Sequence, residues 1–154
     1  MTKAFKYRLY PNTEQRKYFA KTFGSTRFIY NKMLEDKIEH YKATKQTLKN
    51  TPAQYKTEFP WLKEVDSLAL ANAQINLEKA YKNFFRDKSV GFPKFKSKKN
   101  NHRSYTTNNQ KGTVAIENGY IKLPKLKSAV KIKQHRLFDG LIKSCTISQT
   151  PGGK

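Results

Sequence analysis

Residues 3–11 read KAFKYRLYP, and the partners that this stretch finds later in the chain decide the fold. Apolar and basic side chains alternate along it: Phe5, Tyr7 and Leu9 with Lys6 and Arg8. This two-residue period predicts a β-strand with one buried face and one basic face. A lone strand leaves its backbone groups unpaired, so we expect it to join strands from elsewhere in the chain.

The next residues predict a helix. Asn12 is a good N-cap, and Gln15 three residues later completes the pattern of a capping box. Phe19 and Phe23 are four residues apart and therefore share a helix face. Gly24 is a natural stop, so we expect the helix to end there.

A second helix is expected directly after Gly24, with Ser25 or Thr26 as its cap. Its apolar stripe has helical spacing: Tyr30, Leu34, Ile38 and Tyr41. Two helices joined by a short turn have the outline of a helix-turn-helix. The outline also fits a helical hairpin that only packs, so both interpretations stay open.

Two more helices are expected before residue 88. A short one follows Thr51-Pro52, and a long one begins at Asp66 or Ser67 and ends near Arg86. The stripe of the long helix predicts core positions: Leu70, Ala73, Leu77, Ala80 or Tyr81, and Phe84. Its first turn carries free N–H groups, which are a natural contact for phosphate or base edges.

From Lys88 onward the chain is typical of short strands: SYTTNN, TVAIENGYIKLP, AVKIK and SCTIS. Asn118-Gly119 predicts a hairpin turn. The sequence thus favours an α+β fold, a small β-barrel split between residues 1–10 and 88–154. A helical domain of about four helices, residues 11–87, is inserted into it and includes the helix-turn-helix-like hairpin.

Charge points to the partner. The 154 residues carry a net charge of +21 and a pI near 10.1, which favours a polyanion such as nucleic acid. Residues 1–87 hold 17 basic and 9 acidic residues, net +8, whereas residues 88–154 hold 15 and 2, net +13. We therefore expect the second part to make most of the backbone contacts.

Several classes of protein are disfavoured by what the sequence lacks. Neither a signal peptide, a membrane span nor a basic amphipathic helix is evident, so we expect a cytoplasmic protein without membrane partners. Cys145 is the one cysteine, and the three histidines have no ligand spacing, so neither a disulfide nor a metal site is expected. No segment stands out as dimerising.

Catalysis is also disfavoured. The carboxylates Glu35, Asp36 and Glu39 lie among lysines and are typical of a solvated helix face. A hydrolase needs paired carboxylates, a metal cluster or an activated nucleophile, and a nucleotide-dependent enzyme needs a phosphate loop. We expect no cofactor and no catalytic residue.

Binding remains. Basic residues recur at steps that a strand places on one face, and such residues contact phosphates without reading sequence. The predicted backbone contacts are Lys6, Arg8, Lys94, Lys96, Lys98, Lys99, Arg103, Lys122, Lys125, Lys127, Lys131 and Lys133. Interleaved aromatics, Phe92, Phe95 and Tyr105, either stack on bases or, for the two phenylalanines, dock onto the helices.

Six segments in this order resemble the amino-terminal part of the TnpB family, the OrfB-type proteins of bacterial insertion sequences. They are KAFKYRLYPNTEQ, KTFGSTRFIYNKML, LEKAYKNFF, GFPKFKSKK, IKLPKL and TISQTPGGK. The resemblance implies a wedge domain, which is the split barrel, and a helical recognition domain. It implies binding of a guide RNA from the transposon end and of a short adjacent motif on duplex DNA. In the family a RuvC-type nuclease domain follows the last of these segments, so this stretch itself is expected not to cut DNA. The resemblance also implies a protein of the bacterial cytoplasm that is associated with the nucleoid.

By the same resemblance, the DNA motif is read at the start of the long helix and at a Thr-Asn pair in the wedge domain. The aligned positions are Ser67, Leu68 and Ala71, together with Thr107 and Asn108. Ser67 and Ala71 stand where a relative has longer polar residues, so Asn109 or Gln74 is expected to contribute instead.

Three functions follow. The first is a nucleic-acid-binding amino-terminal fragment of a TnpB-like protein, without nuclease activity. The second is a piece of a full-length RNA-guided DNA endonuclease. The third is an autonomous helix-turn-helix repressor, which predicts a dimer on a palindromic operator.

Overall fold

The computed structural model describes residues 4–97, 103–133 and 142–149. The helices are α1 (Thr13–Thr44), α2 (Pro52–Tyr55) and α3 (Ser67–Arg86), with 3-10 turns at Pro60–Glu64 and Lys88–Val90. The strands are β1 (Arg8–Tyr10), β2 (Arg103–Asn108), β3 (Ala115–Glu117), β4 (Tyr120–Lys122), β5 (Val130–Lys133) and β6 (Ser144–Gln149).

The first strand joins the later ones, as its pattern predicts. β1 pairs antiparallel with β5, with Leu9 opposite Ile132, in a four-stranded sheet of order β1-β5-β4-β3. β2 and β6 form a second, two-stranded antiparallel sheet. The mixture of helices and antiparallel sheets agrees with an α+β class. The described strands form two separate ladders, so barrel closure stays a prediction.

The predicted break at Gly24 is wrong, because α1 is one helix from Thr13 to Thr44. Thr26 does not cap a new helix; its hydroxyl donates to the Phe23 carbonyl of the preceding turn, at 3.0 Å. Phe23 before Gly24 and Ser25 and Thr26 after it are all buried, so packing on both sides of the glycine stabilises the helical path. That packing outweighs the roughly 1 kcal/mol that glycine costs inside a helix.

Other local predictions are confirmed. Asn12 and Gln15 form the capping box of α1, and Asp66 caps α3, which ends at Arg86. Asn118 and Gly119 both have positive φ, 53° and 79°, as the tight hairpin between β3 and β4 requires. Between residues 11 and 87, three α-helices and one 3-10 turn stand where about four helices are expected.

Two hydrophobic clusters form the core, and α1 contributes to both. Phe19 and Phe23, from its first half, pack with residues of the strands, among them Tyr105 and Ile132. Its second half packs against α2, the following turn and α3 through these buried residues: Ile29, Tyr30, Met33, Leu34, Tyr55, Leu62, Leu70 and Leu77. Helix α1 thus connects the strands to the other helices. The division into residues 1–10 with 88–154 and residues 11–87 stays a prediction.

Candidate nucleic-acid interface

Asp66 fixes the start of α3 against the end of β2. Its carboxylate accepts a hydrogen bond from the Leu68 N–H at 3.0 Å and another from the Thr107 hydroxyl. Both side chains are buried, with Thr107 fully so. The first turn of the helix is therefore held in one position relative to the strand, which a base-reading helix requires.

Two asparagine amides lie side by side next to this junction. The Asn72 amide nitrogen donates to the Asn108 amide oxygen at 2.7 Å and to the Leu68 carbonyl at 2.9 Å. Both residues are half-buried. Among the described residues, the Asn72 amide oxygen and the Asn108 amide nitrogen have no hydrogen-bond partner. One acceptor and one donor thus remain, and this combination is the one that pairs with the major-groove edge of adenine.

The predicted reading positions of α3 lie on its outward side. Ser67, Ala71 and Gln74 follow helical spacing, and Ser67 is exposed whereas the other two are half-buried. Gln74 donates to the Glu78 carboxylate at 2.9 Å. Leu68 precedes Asn72 by one turn and lies next to Ser67. These four positions and Asn72 share the first two turns of the helix.

Two of the predicted polar residues take structural positions. Thr107 has no exposed surface with which to contact a base in this conformation. The Asn109 amide oxygen accepts from Gly112 N–H at 3.0 Å and Val114 N–H at 3.2 Å, while its nitrogen donates to the Ile142 carbonyl. Thr107 therefore holds α3, and Asn109 holds the turn after β2. A base-reading role for either stays a prediction.

A basic cleft of about 140 Å³ lies between α1, α3 and β2, next to the asparagine pair. Its cations come from three separate parts of the chain: Arg27, Lys96 and Arg103. Asn72 and Asn76 of α3 also line it, and no carboxylate does among the described residues. A cleft with several cations and no acid is suited to phosphate.

The stretch before the cleft is docked on the helices. The Asn31 side chain of α1 makes two hydrogen bonds to the Lys96 backbone, donating to its carbonyl at 2.8 Å and accepting from its N–H at 2.7 Å. Phe92 packs edge-on against Tyr81 and Phe84 of α3, with ring centroids 5.4 and 5.3 Å apart. The Lys96 ammonium lies 4.7 Å from the centre of the Tyr30 ring. This segment therefore presents its lysines along a fixed path.

The stacking considered for Tyr105 is contradicted by the structure. The ring is 5% exposed and packs against Phe19 and Phe23 in the core, and burial raises its pKa. Phe92 and Phe95 keep exposed fractions of 42% and 54%. The docking alternative therefore describes Phe92, whose ring contacts α3, whereas stacking by Phe95 stays a prediction.

Most of the predicted phosphate contacts are on the surface. Nine are exposed and Arg103 is half-buried; the exposed ones are Lys6, Arg8, Lys94, Lys96, Lys122, Lys125, Lys127, Lys131 and Lys133. Lys98 and Lys99 lie outside the described residues. Their roles in binding stay predictions.

Sequence reasoning missed Asn72, Arg27 and Asn31. Asn72 carried a usable signal, because it lies one turn after Leu68 on a helix whose start was already a candidate. Arg27 and Asn31 carried none, because the residues that give them a role are far along the chain: Asn31 bonds to Lys96, and Arg27 lines the cleft with Lys96 and Arg103.

Neither a metal-binding group nor a membrane-spanning helix is found in the described ranges. No group of three His, Cys, Asp or Glu residues there is placed to hold a metal ion. Over the same ranges no helix is both long and apolar enough to span a bilayer. Burial raises the pKa of the Cys145 thiol to about 11, so at neutral pH it stays protonated and is a poor nucleophile.

Comparison with known proteins identifies the family. Residues 1–46 match a family model described as a helix-turn-helix domain, of the OrfB type. Within this match residues 13–44 form the uninterrupted helix α1, so the turn that the family name describes does not occur inside α1.

Three relatives show how far the similarity extends. A protein of Escherichia coli K12 that is named RNA-guided DNA endonuclease InsQ is 33% identical to this chain. The alignment covers 97% of this chain and 38% of InsQ. A Streptomyces pristinaespiralis protein named as an RNA-guided DNA endonuclease is 32% identical. The alignment covers 87% of this chain and 34% of that protein. Virulence protein VsdF of Salmonella dublin is 35% identical over 64% of this chain and 95% of its own length.

The chain spans about a third of the length of the two relatives named as endonucleases. The six segments, the domain match and these relatives agree with one another. The chain belongs to the TnpB family of OrfB-type transposon proteins and corresponds to the amino-terminal part of its members.

Proposed function

We propose that this chain is the nucleic-acid-binding part of a TnpB-like transposon protein, without nuclease activity of its own. It binds a guide RNA derived from the transposon end and a short adjacent motif on duplex DNA. The observation that carries the proposal is the junction of α3 with β2. There Asp66 fixes the helix, the Asn72–Asn108 pair presents polar groups, and a basic cleft adjoins them.

The division of roles follows from the chemistry of the two surfaces. Cations in the cleft bind phosphates of any sequence and set the position of the duplex. The amide pair discriminates between base pairs, because its acceptor and donor match adenine in the major groove. Leu68 and Ala71 offer apolar contact, which suits the methyl group of thymine. An A·T-containing motif is therefore the expected target.

The experiment is a selection from a duplex DNA pool with a short randomised window, using the whole chain. The wild-type protein should enrich one motif. Asn72→Ala and Asn108→Ala should each reduce the preference for that motif by about ten-fold while retaining non-specific binding. Phosphate contacts do not carry sequence information, so the affinity for unselected DNA should stay close to that of the wild type.

Asn83→Ala is the matched control. Asn83 lies near the opposite end of α3 and is exposed, and among the described residues its side chain accepts a hydrogen bond only from Arg86. This variant should select the same motif with the same strength. Selection of an unchanged motif by both Asn72→Ala and Asn108→Ala would contradict the assignment of the site.

A second candidate function is supported by the names of the relatives. Two of them are named as RNA-guided DNA endonucleases, and the chain covers only 38% and 34% of them. In this case the chain is one piece of a protein that cuts DNA elsewhere along its length. Coding sequence that continues in frame past codon 154 into nuclease-like strands would favour this candidate. The repressor alternative rested on the helical hairpin, and the continuous α1 removes that support.

A further inference from the structure

The outer face of the four-stranded sheet carries two exposed tyrosines with a lysine between them. Tyr10 of β1 is opposite Lys131 of β5, which is opposite Tyr120 of β4. Residues in register share a face, so the three side chains form one row across three adjacent strands. The two tyrosines are 44% and 46% exposed.

These tyrosines are not needed for the core. The other face of the same strands buries Ile132 and Ile121 in the hydrophobic cluster shared with α1, and the half-buried Leu9 packs against them. Strands that alternate in this way usually have small polar or charged side chains on the solvent face. Two large rings there expose apolar surface to water, and such surface suits a partner that covers it.

Cations surround the row. Arg8 lies opposite Lys133, next to the row, and its guanidinium is 5.6 Å from the centre of the Tyr10 ring. Lys122 follows Tyr120 on the same face of β4. Glu117, opposite Tyr120 at the edge strand β3, is the acid in the row. The strands that hold the tyrosines therefore present basic residues around both rings.

Aromatic rings between basic residues on a flat sheet are suited to unpaired bases. A base can stack on a ring only through its face, and the faces of bases in a duplex are covered by their neighbours. Adjacent strands are about 4.8 Å apart, so the backbones at Tyr10 and Tyr120 are roughly 10 Å apart, with Lys131 between them. Two bases of one single strand can thus stack while the lysine binds the intervening phosphate.

We propose that this face binds an unpaired stretch of RNA, with bases stacked on Tyr10 and Tyr120 and phosphates bound by Lys131, Arg8 and Lys133. The proposal rests on the proposed RNA-binding function and names the surface. RNA is favoured over DNA because the duplex partner presents no unpaired bases, whereas folded RNA exposes them in loops and at ends. The surface is distinct from the α3–β2 junction, which faces duplex DNA.

The test measures affinity by fluorescence anisotropy for a labelled single-stranded RNA, the same RNA as a duplex, and single-stranded DNA of equal sequence. Tyr10→Leu and Tyr120→Leu keep apolar bulk but remove the ring. Each should weaken binding of single-stranded RNA roughly ten-fold. Tyr10→Phe and Tyr120→Phe retain the ring and should bind as the wild type does.

The controls separate stacking from folding and from charge. Tyr41→Leu is matched, because Tyr41 is 53% exposed near the end of α1 and also lies beside a cation, Lys45. It should leave RNA affinity unchanged. Lys131→Gln should lower the slope of log affinity against log salt by about 0.7. Thermal unfolding of each variant shows whether it folds, and Lys131→Gln tests the surface even if a leucine variant does not.

The outcomes are distinguishable. Wild-type RNA affinity in folded Tyr10→Leu and Tyr120→Leu would overturn the proposal. Equal losses for single-stranded DNA would overturn the assignment to RNA. Loss confined to RNA, with selection of the duplex motif intact, supports it. If the wild-type chain bound no RNA at all, the proposed function itself would fail.

Discussion

Asp66 connects two parts of the fold that are 41 residues apart in sequence. Its carboxylate caps α3 through the Leu68 N–H and accepts from the Thr107 hydroxyl of β2. Both side chains are buried, so neither group can exchange its partner for water. The position of the Asn72–Asn108 pair depends on this contact, because Asn72 lies on the turn that follows the cap.

We predict that Asp66→Ala lowers the free energy of unfolding by about 2–4 kcal/mol. The substitution removes an N-cap and leaves the buried Thr107 hydroxyl without an acceptor. Thr107→Val removes only the second bond and should cost about 1–3 kcal/mol. Urea denaturation followed by circular dichroism measures both.

Asp87→Ala is the control for this prediction. Asp87 also accepts from a backbone N–H, that of Ser89 at 3.0 Å, at the start of a short turn. It is fully exposed, so water replaces the lost bond and the effect should be much smaller than at Asp66. Similar losses for Asp66→Ala and Asp87→Ala would contradict the role assigned to the junction.

Helix α1 is the element that holds the molecule together. Its 32 residues span about 48 Å, and its two halves pack in different hydrophobic clusters. Phe19 and Phe23 face the strands, while Met33 and Leu34 face α3. A turn at Gly24 would separate these halves, so the continuity of the helix keeps the strands and the other helices in one arrangement.

We predict that Gly24→Ala raises the free energy of unfolding by about 0.5–1 kcal/mol. Alanine is the better helix former, and a β-carbon at this position would approach Arg27 Nη2 to 3.9 Å, which is ordinary contact. If residue 24 were in a left-handed turn, the same change would destabilise the protein. The midpoint of thermal unfolding, compared with that of wild type, distinguishes these results.

Elements with local signals could be predicted from the sequence. Asp66 predicts where α3 begins, and Asn118-Gly119 predicts the hairpin turn. Caps and tight turns depend on a few adjacent residues, so the sequence alone is enough for both. The end at Gly24 could not be judged in this way. Whether a glycine stops a helix depends on the packing of its neighbours, and that packing involves residues distant in sequence.

The candidate site was predictable only in outline. The start of α3 and Asn108 were both candidates, but their contact runs through Asn72, which is 36 residues from Asn108. Tyr105 was a candidate for base contact but is a core residue. It stands in a basic, polar stretch of sequence, so the strand alternation that places it in the core opposite Ile147 is not evident there. The Asn72–Asn108 contact and the burial of Tyr105 both depend on how distant elements pair, and a single sequence gives no direct sign of that pairing.

The whole molecule is a polycation with two surfaces of different shape. The α3–β2 junction adjoins a basic cleft, whereas the four-stranded sheet presents the exposed rings of Tyr10 and Tyr120. The net charge of +21 supplies affinity for any nucleic acid. Selectivity must therefore come from shape and from the few groups that touch bases.

The proposed function requires the chain to recognise RNA from the transposon end rather than any polyanion. The most direct measurement is an electrophoretic shift with RNA derived from the element's end and with an unrelated RNA of equal length, at two salt concentrations. We predict tighter binding of the end-derived RNA, with the difference persisting at the higher salt, where non-specific phosphate contacts weaken most. Equal affinity for the two RNAs at both salt concentrations would contradict the claim.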